Sequence, residues 1–130
     1  MRLRLDDLAD RMIQLEREAR RRSRLRASDG IGRVERAAYI VFDRQHLAYL
    51  NAVEKMNCLY CGYANGVFAY LREIAGRTEQ YWCPIRHARR LRSPHDHYQA
   101  FVEYGDAKGY HRRLPLLRAR LATKGPRGDV

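Results

Sequence analysis

The stretches NCLYCGYANG (residues 57–66) and RTEQYWCPIRHARR (residues 77–90) decide how this chain is read. Between them they hold every cysteine of the protein: Cys58, Cys61 and Cys83. Written as a pattern they give C-x2-C, a spacer of 21 residues, then C-x3-H ending at His87. Two close pairs of soft or borderline donors suit a tetrahedral ion. If Cys58 and Cys61 lie three apart on a helix, their Cβ atoms are about 5–6 Å apart on one face. If Cys83 opens a second helix, His87 lies above it one turn on. The sequence therefore predicts a Cys3His centre that staples two helical segments. Zinc is the first candidate, because tetrahedral Cys3His with short spacings is a common zinc site, and with no open position on the ion the site would be structural. An iron–sulfur cluster with a redox role is the alternative, since the same donors can hold one. Three inert thiols packed as small hydrophobes would be the plain reading, but their ligand-like pairing argues against it.

Outward from this motif the pattern is helical. Leu5, Leu8, Met12, Leu15 and Ala19 recur at steps of three and four, so an amphipathic helix is expected over the first 27 residues. Ser28–Gly32 reads as a turn. From Arg33 to Ala75 there is no proline, and the spacing predicts one long helix or two, with a break at Asn57 or at Asn65–Gly66. Residues 77–82 read as a connector. Pro84 suits a first helical turn, which predicts a helix over 83–91. A short helix over 95–104 and a last one over 107–121 follow, with Asp106 as cap and Pro115 as a kink or late start. No segment alternates like a half-buried strand. The expected fold is all-α: a small helical bundle with one long or broken central helix. Its domains are a basic helix over 1–27, a metal-stapled body over 33–121 and a disordered tail over 122–130.

The two quoted stretches resemble a group of small bacterial proteins of unassigned function that share an NCxYCGY…YWCPI(K/R)HA signature. The resemblance implies that Cys58, Cys61, Cys83 and His87 belong together. It implies no activity.

Composition narrows the function class. The 130 residues suit one domain, and 45% hydrophobic content is too apolar for wholesale disorder. No run is long and apolar enough for a membrane span, and the first residues lack the apolar block of a secretion signal, so a cytoplasmic setting is expected. A net charge of +11, nearly all of it arginine, favours an acidic protein, nucleic acid or an anionic surface as partner. Arg20, Arg21 and Arg22 on the first helix, with Arg86, Arg89 and Arg90 after the cysteines, are the candidate contacts. The first helix is also a candidate surface for homo-oligomerisation. Asp43, His46 and Glu79 read as hydrogen-bond partners that orient the metal's ligands, or as alternative ligands of the metal. Nothing resembles a nucleophile elbow, a phosphate loop or a dinucleotide fingerprint, so no catalytic residue is assigned, and an enzyme would require a cluster or ion with an open position for redox chemistry.

Overall fold

The computed structural model describes residues 5–27 and 29–123. Three helices carry the fold: α1 (Leu5–Ala27), α2 (Ala52–Trp82) and α3 (Ala107–Thr123). Among the described residues there is no strand, only a single parallel bridge between Ile85 and Val102. The all-α expectation holds. The expected tail over 122–130 lies largely outside the described residues, as does Ser28 of the predicted turn.

The central element is one uninterrupted helix of 31 residues. It starts at a capping box: the Asn51 side chain accepts from the Glu54 N–H at 2.9 Å, and the Glu54 carboxylate accepts from the Asn51 N–H at 2.8 Å. These reciprocal bonds satisfy two donors that a helix start otherwise leaves bare. It ends where Pro84 follows Cys83. The residue before a proline is pushed out of the α region, and Cys83 sits at φ −147°, ψ 72°. So Pro84 stops α2 rather than starting another helix, and residues 77–82 are its last turns rather than a connector.

Two expectations fail around α2. Residues 33–51 are not helical apart from 3-10 turns at Arg36–Ala38 and Arg44–His46. This segment instead runs along α2 as a strap, burying Val34 against Ala19 and Tyr70, and Ile40 against Met12 and Val67. Burial of these side chains outweighs a helix propensity worth only tenths of a kcal/mol per residue. Residues 83–91 are not helical either. The Pro84 carbonyl accepts from the Val102 N–H at 2.8 Å, and the Arg86 N–H donates to the Val102 carbonyl at 2.7 Å. Backbone groups used in that pairing are unavailable to a helix. The helix expected over 95–104 is a 3-10 turn, Asp96–Ala100.

α1 lies parallel to α2, with Met12 beside Val67, Ala19 beside Tyr70, and Arg26 beside Thr78. The face it buries is Met12, Glu16, Ala19 and Ser23, while Leu8 and Leu15 stay exposed. α3 starts where Asp106 accepts from the Gly109 N–H at 2.9 Å, as expected, and it continues through Pro115. Leu117 and Leu121 are its buried hydrophobic side chains.

No break occurs at Gly66, because that glycine is where the strap touches the rod. A Cβ there would meet the Tyr39 carbonyl oxygen at 2.6 Å and Ile40 at 3.0 Å. At Gly62 the nearest atom is the end of the Arg44 side chain at 4.0 Å. Opposite outcomes are expected for the two alanine substitutions. Gly62→Ala should stabilise by up to about 1 kcal/mol through helix propensity. Gly66→Ala should destabilise by about 1–3 kcal/mol, since the obstacle is backbone and the strap must move. Urea titrations of the two variants against the parent check both signs.

Candidate metal half-sites and a basic end

The four predicted ligands fall at the two ends of α2. Cys58 and Cys61 lie one turn apart near its start, the first half-buried and the second exposed. Cys83 is the exposed residue at its end. At 1.5 Å per residue, Cys61 and Cys83 are about 33 Å apart along the rod. A tetrahedral site holds its ligands about 2–2.3 Å from the ion. One chain therefore does not bring the four donors onto one ion. The expected staple between two helical segments is corrected on this ground: the spacer that was to turn back is itself helix. Nor do Cys83 and His87 stack on one helical turn, because residues 84–86 are paired with Val102 instead. Among the described residues, no group of three or more His, Cys, Asp and Glu is placed to hold a metal.

The remaining predicted residues divide between the same two ends. Asp43 lines a small hollow with Cys58, Arg44 and Gly62, and His46 is exposed in the adjoining 3-10 turn. Glu79 lies near the other end, bonded to His95 Nε2 at 2.8 Å. His87 stacks on Tyr98, with ring centroids 5.8 Å apart, and its Nδ1 lies 3.1 Å from the phenol oxygen.

Two buried polar hubs were not foreseen. In the first, Glu16 of α1 accepts from Tyr63 at 2.6 Å and Arg20 at 2.7 Å, and from Arg36 of the strap. It thereby ties all three segments together. Burial alone would raise its carboxyl, but the bonds from Arg36, Tyr63 and Arg20 outweigh that and hold it at about 2. In the second, Glu73 accepts from Arg77 at 2.7 Å and from His97 Nε2 at 3.0 Å. The other His97 nitrogen faces the Gln80 carbonyl oxygen at 2.8 Å, and the Gln80 amide donates to the Leu117 carbonyl at 2.8 Å. Both ring nitrogens thus lie within hydrogen-bond distance of an oxygen, one from an amide and one from a carboxylate. Burial would raise Glu73, and the hydrogen bonds of His97 and Arg77 bring it down to about 2. Gly76 allows this approach: a Cβ there would meet the His95 ring at 2.9 Å. The i, i+4 pairs Glu16–Arg20 and Glu73–Arg77 are visible in the sequence; their long-range partners are not.

The candidate partner-binding arginines are unequally free. Arg20 is bonded to Glu16, Arg21 and Arg22 pair with Glu18 at 3.7 and 2.9 Å, and Arg86 bonds Glu103 and the Gln99 carbonyl at 2.6 Å each. Arg89 and Arg90 are exposed in the loop that follows. Because α1 and α2 run parallel, the arginine run from Arg20 to Arg26 points the same way as the end of α2, from which that loop departs.

Between α1 and the second half of α2 lies an open groove of about 560 Å³. Leu15, Ala19, Leu71, Ile74, Ala75 and Trp82 make it mainly apolar, with Arg22, Arg26, Glu79 and Cys83 also lining it. No helix of the described residues is long and apolar enough to cross a membrane. Comparison with protein-family models, with curated proteins and with solved structures finds no match.

The two carboxylates set an acid limit. Each has a folded pKa near 2, below its ordinary 4.5, so each contributes stability that is full above pH 4.5 and is lost as pH falls toward 2. The urea midpoint should drop across that window. Glu73→Gln should lower it at pH 7 and flatten its dependence between pH 4.5 and 2.

Proposed function

We propose that this protein is a non-enzymatic binding module that engages a polyanion, with single-stranded nucleic acid as the best fit, through the arginine-rich end of the molecule. The observation carrying this reading is the parallel packing of α1 on α2. It directs the run Arg20, Arg21, Arg22, Arg24 and Arg26 toward the end of α2, where the loop with Arg86, Arg89, Arg90 and Arg92 begins. Two clusters far apart in sequence thus extend from the same end of the parallel helix pair. Arginine forks pair with phosphate oxygens two bonds at a time, which lysine does not do. Tyr104, an exposed aromatic just before α3, offers a surface on which a base stacks.

The charge distribution supports the same reading. α2 contains Glu54, Glu73 and Glu79 against Lys55, Arg72 and Arg77, so its net charge is zero. The whole +11 therefore resides on the elements around it. A structural helix that is electrically neutral, wrapped by basic segments, suits a scaffold presenting cations. Arg20 and Arg22 are engaged by Glu16 and Glu18, whereas Arg89 and Arg90 are exposed in the loop.

Fluorescence anisotropy with a labelled single-stranded RNA, at 50 and 200 mM salt, tests the reading. Affinity should fall with salt, with a log–log slope of about −0.7 per phosphate neutralised. The double substitution Arg89→Glu and Arg90→Glu should weaken binding at least tenfold and make the slope shallower. No binding at low salt, or binding indifferent to salt, rejects the proposal.

A further inference from the structure

The two donor pairs stand at opposite ends of one rod, and neither half alone completes a tetrahedron. The surface of the rod between them is patterned. Cys61, Phe68, Ala75 and Trp82 recur every seven residues and all four are exposed, Phe68 at 57% and Trp82 at 58%. A seven-residue repeat on a helix is the spacing at which a second helix packs. The groove beside α1 continues this stripe, adding Leu15 and Leu71.

The stripe matches itself when reversed. A two-fold axis midway between positions 68 and 75 sets Phe68 against Ala75 and Cys61 against Trp82, a large side chain opposite a small one in each case. The same operation brings the C-x2-C end of one rod to the Cys83 end of the other. Like charge does not oppose the pairing, since α2 carries three acidic and three basic side chains.

We propose that a second copy of this chain completes the metal site. Two α2 helices pack antiparallel along the Cys61–Phe68–Ala75–Trp82 stripe. Each end then holds one zinc-type cation, bound by Cys58 and Cys61 of one copy and by the partner's Cys83 and the partner's His87. The interface is isologous, so one closed dimer carries two identical centres. His87 is suited to the role: its Nδ1 lies 3.1 Å from the Tyr98 oxygen, and in the tautomer whose Nδ1–H donates there the Nε2 lone pair is left for the ion. Three thiolates and one imidazole close the coordination sphere, and three thiol protons are released to solvent per ion bound. The metal thus fastens two molecules, where the sequence pattern suggested a staple within one. This inference is independent of the polyanion reading: an RNA titration and a metal titration can fail separately.

Cobalt(II) is the probe, because its thiolate charge-transfer and tetrahedral d–d bands report the donor set directly. The metal-free full chain should take up one cobalt per chain and convert to a dimer by sedimentation. Cys58→Ser/Cys61→Ser and Cys83→Ser/His87→Ala variants should each fail to develop the spectrum. Mixed together, they should regain up to half the parent's signal, because each supplies the half the other lacks. Phe68→Glu, an exposed change that leaves the helical circular dichroism intact, should weaken cobalt binding at least tenfold although it touches no ligand. A parent chain that binds no cobalt, or binds it as a monomer, overturns the proposal. So does a mixture of the two half-site variants that stays as blank as either one alone.

Discussion

A 31-residue helix without interruption is the constraint from which the rest of this structure follows. It fixes the distance between the cysteine pair near its start and the Cys83 end, and it gives α1, the strap and α3 a common surface to pack on. Its length is set by two local devices of different kinds. At Asn51 a pair of reciprocal hydrogen bonds satisfies the bare donors of the first turn. At Cys83 a steric rule acts, because the following proline excludes the α conformation. Between them, two glycines permit close approach without breaking the helix. Gly66 admits the strap backbone and Gly76 admits the His95 and His97 rings.

Among the described residues the largest fully buried side chains are Tyr70, Phe101, Leu117, Leu121, Val67, Val102 and Pro84. Position is specified as much by buried polar hubs. Glu16 draws α1, the strap and α2 to one carboxylate, while Glu73, His97, Gln80 and the Leu117 carbonyl chain α2 to the 3-10 turn and to α3. Such groups have satisfied partners only in the native arrangement, so a slipped register leaves charge buried and unpaired. That penalty makes them devices of specificity.

Periodicity made α1 and α3 legible, and the absence of alternation excluded a sheet. The middle was harder because the sequence signals there have two meanings. A proline can open a helix or end the one before it, and Pro84 does the second. A glycine can break a helix or receive a neighbour, and Gly66 does the second. The Asn51–Glu54 box was a readable start signal that marks where α2 begins. The strap over 33–51 was not readable, since its residues are adequate helix formers and only long-range burial of Val34 and Ile40 holds them otherwise. The cysteine spacing told which residues have ligand chemistry. It could not tell whether the 21 residues between them fold back or run straight, and that choice decides whether four donors meet within one molecule.

The parallel packing of α1 on α2 has an electrostatic consequence of its own. Each helix carries about half a negative charge at its C-terminal end, and parallel neighbours place these ends on the same side. Antiparallel neighbours would cancel them. Here the arginines of the last turns of α1 supply the missing countercharge, with Arg24 and Arg26 in the final turn itself. The basic end is therefore part of how two aligned dipoles tolerate one another. The arginines are bound up with the fold whatever anion they meet in solution.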